Sequence, residues 1–432
     1  MTGVPMRRLR SILTHLRRNE DGALIVAIAL MLTVLMGLLG VGVEVGSWYM
    51  ARRSLQTAAD AAAIAGALEN ARGNAAAIAL AGAKEAARNG TENGDTVQVF
   101  TPPTGGAFAG RADAVEAIVT RRQPALFSAV LNAGPATISA RAVALLSDNG
   151  RACVLALDGS KASAVLARGN PDVQMAGCMI ASNSNAASAI DLSGNVSVNA
   201  LSLWTAGGIA VSGNASLRLA QPATTHSWPL PDPYTNINVP PLPTCSSPKV
   251  TKVNKTQLLP KGIYCGGIDV SGNTHLKLEP GEYYLDQGDL TVHGNVTIDC
   301  PTCVNDGVTI VFTSTRSSSL IGGLRLSGNL DLTLQARGGA GVPFPGILVY
   351  QDRRAPAGTN LVNGNTTMKV TGALYFPAQE LQWAGNNSTA TAGCVQIVAR
   401  TVTFIGNAAL GNDTCAAIGA APIVTTLARL GE

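Results

Sequence analysis

The period of the hydrophobic pattern changes several times along the chain, and each period predicts a different element. Residues 22–43, GALIVAIALMLTVLMGLLGVGV, carry no charge. At about 1.5 Å per residue they are long enough for a hydrocarbon core of roughly 30 Å, which predicts a transmembrane helix. Residues 44–90 are rich in alanine with few helix breakers, and Asn89-Gly90 supplies a stop, so they predict one long helix or two stacked ones forming a neck. Its apolar positions are mostly Ala, which pack closely but bury little area each. Such a helix leans on a partner helix or subunit, giving self-association through the Ala-rich face, or stands as a solvated stalk. Residues 91–150 predict a small α+β module, with strands over 96–100, 114–120 and 136–146. A helix is expected over 124–132, opened by Pro124.

From Ile190 onward the period shortens to two and a unit recurs. It reads IDLSGNVSV from Ile190, IAVSGNASL from Ile209, IDVSGNTHL from Ile268, LTVHGNVTI from Leu290, LRLSGNLDL from Leu324 and LVNGNTTMKV from Leu361. Apolar residues alternate with Ser, Thr, Arg, His, Lys and Asp on both sides of a Gly-Asn turn, as strands with one buried face require. Copies about 20 residues apart, or near multiples of that, are the spacing of stacked β-rungs. The expected fold class is therefore mainly β: the transmembrane and Ala-rich helices, the α+β module, then a parallel β-helix or β-solenoid over residues 151–418. Stacking would put Asn195, Asn214, Asn273, Asn295, Asn329 and Asn365 in one column, where side-chain amides bond along the stack. The Pro-rich residues 221–248 read as a rigid loop thrown out from one rung, and residues 419–432 as a tail.

Charge fixes an orientation. Arg7, Arg8, Arg10, Arg17 and Arg18 precede the apolar run, in a basic leader over residues 1–21, and only Arg52 and Arg53 follow closely. The positive-inside bias places the N-terminus in the cytoplasm. The h-region of a cleaved signal runs about 7–15 residues and ends in an A-x-A-like site, which is not evident here. The net charge of +4 is local to this leader, so nucleic acid is not an expected partner.

All eight cysteines, Cys153, Cys178, Cys245, Cys265, Cys300, Cys303, Cys394 and Cys415, lie beyond the apolar run. An even count on that side predicts disulfides in an oxidising compartment. Sequence leaves the connectivity open, and short loops favour Cys153 with Cys178, Cys245 with Cys265, Cys300 with Cys303, and Cys394 with Cys415.

Catalytic and metal chemistry find little support. A β-helix acting on polysaccharide needs carboxylates converging from adjacent rungs, whereas the outward position reads Asp191, Ala210, Asp269, Thr291, Arg325, Leu361 down the stack. Cys300-Pro-Thr-Cys303 has redox spacing, but it lies between strand-like segments with Asp299 and Asp306 close by, where a low thiol pKa is not expected. His226, His275 and His293 show no zinc spacing with any cysteine pair. Asp158-Gly159-Ser160 opens like a von Willebrand A metal loop, but Ala162 stands at the third ligand position. No cofactor is expected.

The order RRNEDGALIVAIAL, the apolar run, SWYMARRSLQTAADAAAIAGA and AVEAIVTRRQPALFSAVLNAGPATISARAVALL resembles the TadE/TadG-like proteins of Flp (Tad) pilus assembly, over residues 17–146. That resemblance implies a bacterial inner-membrane protein, single-pass, with its C-terminal bulk periplasmic or extracellular. It also implies other pilus-assembly and envelope proteins as partners, and a role in assembling or anchoring a thin adhesive pilus without enzymatic activity. One position departs: pilin-like relatives carry Glu five residues after the cleaved Gly, where Ala27 stands here. The alternatives are an adhesin-like head gripping carbohydrate or peptidoglycan through the outward faces and the Trp228 loop, and a polysaccharide lyase or hydrolase.

Overall fold

The computed structural model describes residues 21–304, 306–339, 341–384, 387–388, 394–409 and 415–431; the basic leader, with its five arginines, lies outside the described residues. The described chain is mainly β and divides into two compact units, residues 21–148 with 426–431, and residues 149–425.

In the first unit a single helix, α1 (Asp21–Ala71), carries both the expected span and much of the neck. Nothing in its sequence breaks it: Ala, Leu and Met favour the helix and proline is absent. From Leu24 to Val45 its large apolar side chains stand exposed on all sides. Farther on, Leu55, Ala58, Ala59, Ala62, Ala63 and Ala67 are buried, a stripe at helical spacing. It packs with α2 (Ile78–Arg88) onto an antiparallel sheet of β1 (Thr96–Phe100), β2 (Ala114–Gln123) and β3 (Ala136–Ala156). Small residues let the backbones close up: a Cβ on Gly66 would stand 2.8 Å from Val115 Cγ1, and one on Gly82 2.8 Å from Val99 Cγ2. The alanine face is therefore not a bare stalk; the chain's own sheet and second helix cover it.

Two expectations in this unit are corrected. Only Ser128–Leu131 forms a short 3-10 turn in the segment expected to be helical, because Asn132 at φ 59° ends it in the left-handed region and Glu44 takes up the backbone N–H groups before it. The last residues are not a free tail but form the strand Val424–Leu430, with Gly431 N donating to Val143 O and Ser147 Oγ to Leu427 O.

The second unit is built of parallel ladders closed around one apolar core. One ladder carries the first half of each repeat, with Val253, Val270, Val292, Leu326, Val362, Trp383, Phe404, Ala167, Leu192 and Val211 side by side in that order. A second carries the half after the Gly-Asn turn, as in Leu276, Ile298, Leu332 and Met368. In the third, Ile263, Tyr284, Val311, Tyr350, Tyr375, Val398, Leu155, Ala181 and Trp204 stand in register. The void inside is about 40 Å³ and lined only by side chains such as Leu276, Ile298, Leu332 and Leu374. A lining this apolar holds no water.

The order along the stack is not the order along the chain. Strand Val165–Gly169 pairs on one side with Ile190–Gly194 and on the other with Val395–Phe404, although these two partners lie far apart in the sequence. The Pro-rich residues 221–248 make this possible, and they are not a loop from one rung. They run along the third ladder from one end to the other: Trp228 lies on Trp204, Leu230 on Asn183, Tyr234 on Tyr375 and Gln396, Ile237 on Tyr350, and Cys245 on Thr315, Gln287 and Cys265. The strap covers the outer face of that ladder at Tyr350 and Tyr375, and Val308–Thr313 and Ile347–Gln351 are buried at every residue.

Candidate functional site

The outward face was the place to look for convergent acids. Asp269, Thr291, Arg325 and Leu361 stand in register on neighbouring strands, as do Asp191 and Ala210. The carboxylates there face basic side chains or hydroxyls: Asp269 lies 3.6 Å from His293, Asp289 3.3 Å from Arg325 and Asp299 2.8 Å from His275 Nε2, and Asp191 accepts from Ser163 Oγ at 2.9 Å. Asp269, Asp289, Thr291 and His293 border an open hollow of about 500 Å³, with Leu320 on its rim. It holds two acids, Asp269 and Asp289, each with its own basic neighbour, His293 and Arg325. Among the described residues no three His, Cys, Asp or Glu side chains gather as a metal set. Asp158 accepts from the N–H groups of Ser160 and Lys161, which makes it a turn residue.

The cysteines close short links. Cys153 bonds Cys178, the residue before the neighbouring strand Met179–Ser182, Cys245 ties the strap to Cys265, Cys300 bonds Cys303, and Cys394 bonds Cys415. Gln335 Nε2 donates to Cys303 O at 2.9 Å, and Arg337 bridges Asp306 and Glu282; the hydrogen bond from Arg337 holds the Asp306 carboxyl below its usual range.

The asparagines form a ladder in stack order. Asn214 Nδ2 donates to Asn195 at 3.1 Å, Asn195 to Asn170 at 3.1 Å, Asn329 to Asn295 at 3.0 Å and Asn295 to Asn273 at 3.0 Å; the backbone of Asn365 is in register with Asn329. Asn170 is a member the repeat search missed, and so was Asn407, which accepts from Asp172 N at 3.0 Å. Their signal was present in the Gly169-Asn170 and Gly406-Asn407 dipeptides. Also missed was a buried amide cluster. Asn360 is fully buried and accepts from Leu324 N, while Asn360 and Gln351 both donate to Gln379 at 2.9 Å. Trp228, expected as a sugar platform, is turned edge-on against buried Trp204 at 5.2 Å. Its ring is spent on holding the strap.

The remaining functional feature is the apolar helix and the ring of contacts at its end. Glu44, a carboxylate directly after the uncharged run, is only 2% exposed. It accepts from Leu126 N at 3.0 Å, Ser128 N at 2.7 Å and Ser128 Oγ at 2.6 Å, which satisfies the charge within the unit. Acids border the apolar run on both sides, Glu20 and Asp21 before it and Glu44 after it, so position alone did not single out Glu44.

No curated protein and no solved structure matches the chain. Residues 22–72 match the family model described as putative Flp pilus-assembly TadE/G-like, a stretch that coincides with α1 within one residue at each end. The match spans the helix that is apolar enough to cross a membrane and the alanine stripe that seats it on the sheet, and over that segment the chain is similar to TadE/G-like Flp pilus-assembly proteins.

Proposed function

We propose that this chain is a single-pass envelope protein serving Flp/Tad-type pilus assembly or anchoring, structural rather than catalytic. Its N-terminus lies in the cytoplasm, residues 22–43 cross the bacterial inner membrane, and the second unit is an exported parallel β-helix. The observation that carries the reading is the family match over a helix exposed and apolar in its first half and packed on its own sheet in its second. Export is supported by the eight paired cysteines, which persist in oxidising compartments. The β-helix is supported by three in-register parallel ladders around one apolar core and by the asparagine ladder. Partners are other pilus-assembly and envelope proteins. A non-catalytic role fits an outward face on which Asp269, Asp289 and Asp299 each lie beside a separate basic side chain and Asp191 beside a hydroxyl.

The test combines topology with loss of function. Reporter fusions at Leu430 should be active only when exported, and deletion of the gene should abolish pilus assembly until the full chain is restored. A cytoplasmic C-terminus, or normal pili in the deletion strain, would overturn the proposal.

A further inference from the structure

Where α1 leaves its apolar run, a second apolar feature is fixed at the same level. The stretch of residues 123–140 contains no charged side chain. Within it Leu126 is 51%, Phe127 49% and Val130 86% exposed, although each is large and apolar. Their height along the helix is set at two points: the Glu44 carboxylate holds the backbone of Leu126 and Ser128, and Phe127 lies so close over Gly40 that a Cβ there would stand 2.7 Å from its ring. Gly40 and Glu44 precede Trp48 by eight and four residues, about 12 and 6 Å along the axis. Trp48 and Tyr49 are the first aromatics after the run and mark the level at which such rings settle in the headgroup layer. The segment therefore hangs on the membrane side of the aromatic pair, beside a helix whose large apolar side chains stay exposed from Leu24 to Val45.

We propose that residues 124–131 dip into the same bilayer leaflet that α1 leaves, with Leu126, Phe127 and Val130 in lipid, as a second anchor clamped to the helix by Glu44. The occupant is lipid rather than protein, because the exposed side chains continue the lipid-facing surface of the helix. A clamp of this kind fixes the depth and rotation of α1, which one helix alone leaves free. The inference rests on the reading of residues 22–43 as a membrane span.

The test uses the full chain with Val130→Trp in vesicles of phosphatidylethanolamine and phosphatidylglycerol, read as the difference in emission from the parent protein. Val211→Trp, at an exposed site on the second unit, serves as the control. Lipids brominated near the top of the acyl chain should remove most of the emission added by Val130→Trp while iodide leaves it intact, with the reverse for the emission added by Val211→Trp. If the indole introduced at position 130 is quenched by iodide and not by brominated lipid, in protein that floats with the vesicles, the insertion is overturned and the anchor stands. Shielding from both quenchers would assign the patch to a second copy and equally overturn it. Protein that fails to float would sink the span reading and this proposal together.

Discussion

Arg121 shows what a buried charge demands of its neighbours. Its guanidinium, 8% exposed, meets Asp95 at 2.7 Å, itself 3% exposed, reaches Glu92 at 2.8 Å and donates to Gly90 O. The hydrogen bond from Arg121 holds the Asp95 carboxyl below its ordinary range. Because the folded value is depressed, the stabilisation is present above the usual aspartate value of about 3.9 and is lost as pH falls through the folded value. Amide protection in β2 should accordingly weaken below about pH 4 in the parent and show a shallower acid limb in Asp95→Asn. Asp95→Ala leaves the arginine buried with only Glu92 and Gly90 and should cost about 3 kcal/mol. An acid limb identical in parent and Asp95→Asn would remove Asp95 from this account. Gly294 makes a different demand: at φ 106° its missing Cβ would stand 2.6 Å from the Gly272 carbonyl oxygen. Gly294→Ala should therefore destabilise the stack by about 1–3 kcal/mol in urea, and an unchanged midpoint would show that the strands can spread there.

At the scale of the element, the alternation that made the repeat legible divides each strand into an inner and an outer half. Ile268 is 4% exposed in the apolar core, and Asp269 beside it points outward to His293. Ile268→Asp puts an unpaired charge among Val270, Leu290 and Leu324, at a cost of several kcal/mol, and should remove the protein and pilus assembly with it. Asp269→Asn should leave both the melting temperature and pilus assembly nearly unchanged. A stable Asp269→Asn protein that loses cleavage of a polysaccharide by the purified chain would show the outward face to be catalytic. The first two ladders were readable because one face of each strand is wet and the pattern has period two. The third reads instead as VTIVF, ILVY and CVLA, runs buried on both faces, and such runs do not reveal what covers them. The cover, the Pro-rich strap, read as a loop because composition tells where a chain is stiff and not where its ends attach. Glu44 and the amide cluster of Asn360, Gln351 and Gln379 were single polar residues without a repeating partner, so no period marked them.

For the whole molecule, the consequence of the strap is that neighbours in space are made late in the chain. The strands Val165–Gly169 and Asp172–Met175 find their second partners only in Val395–Phe404 and Ala408–Ala409, and Val154 faces Ile397. Period-two patterning contains no information about which strand lies beside which, so this order could not be read from the repeats. It sets a sharp expectation for truncation. Removing everything after Trp383 deletes strands from the middle of the stack, not from an end, and leaves two unpaired edges facing the gap, at residues 152–169 and at residues 372–383. Hydrogen exchange of that chain should show lost protection at both edges, while amides of Ile268–Leu278 and Leu290–Asp299, paired with each other along their length, keep theirs. The Cys245–Cys265 link and the strap contacts of Tyr350 and Thr315 should hold the strap's far half in place. Full protection at residues 152–169 in the truncated chain would mean that these strands had re-paired directly with residues 372–383, closing the gap, and that the ladders tolerate loss of interior strands.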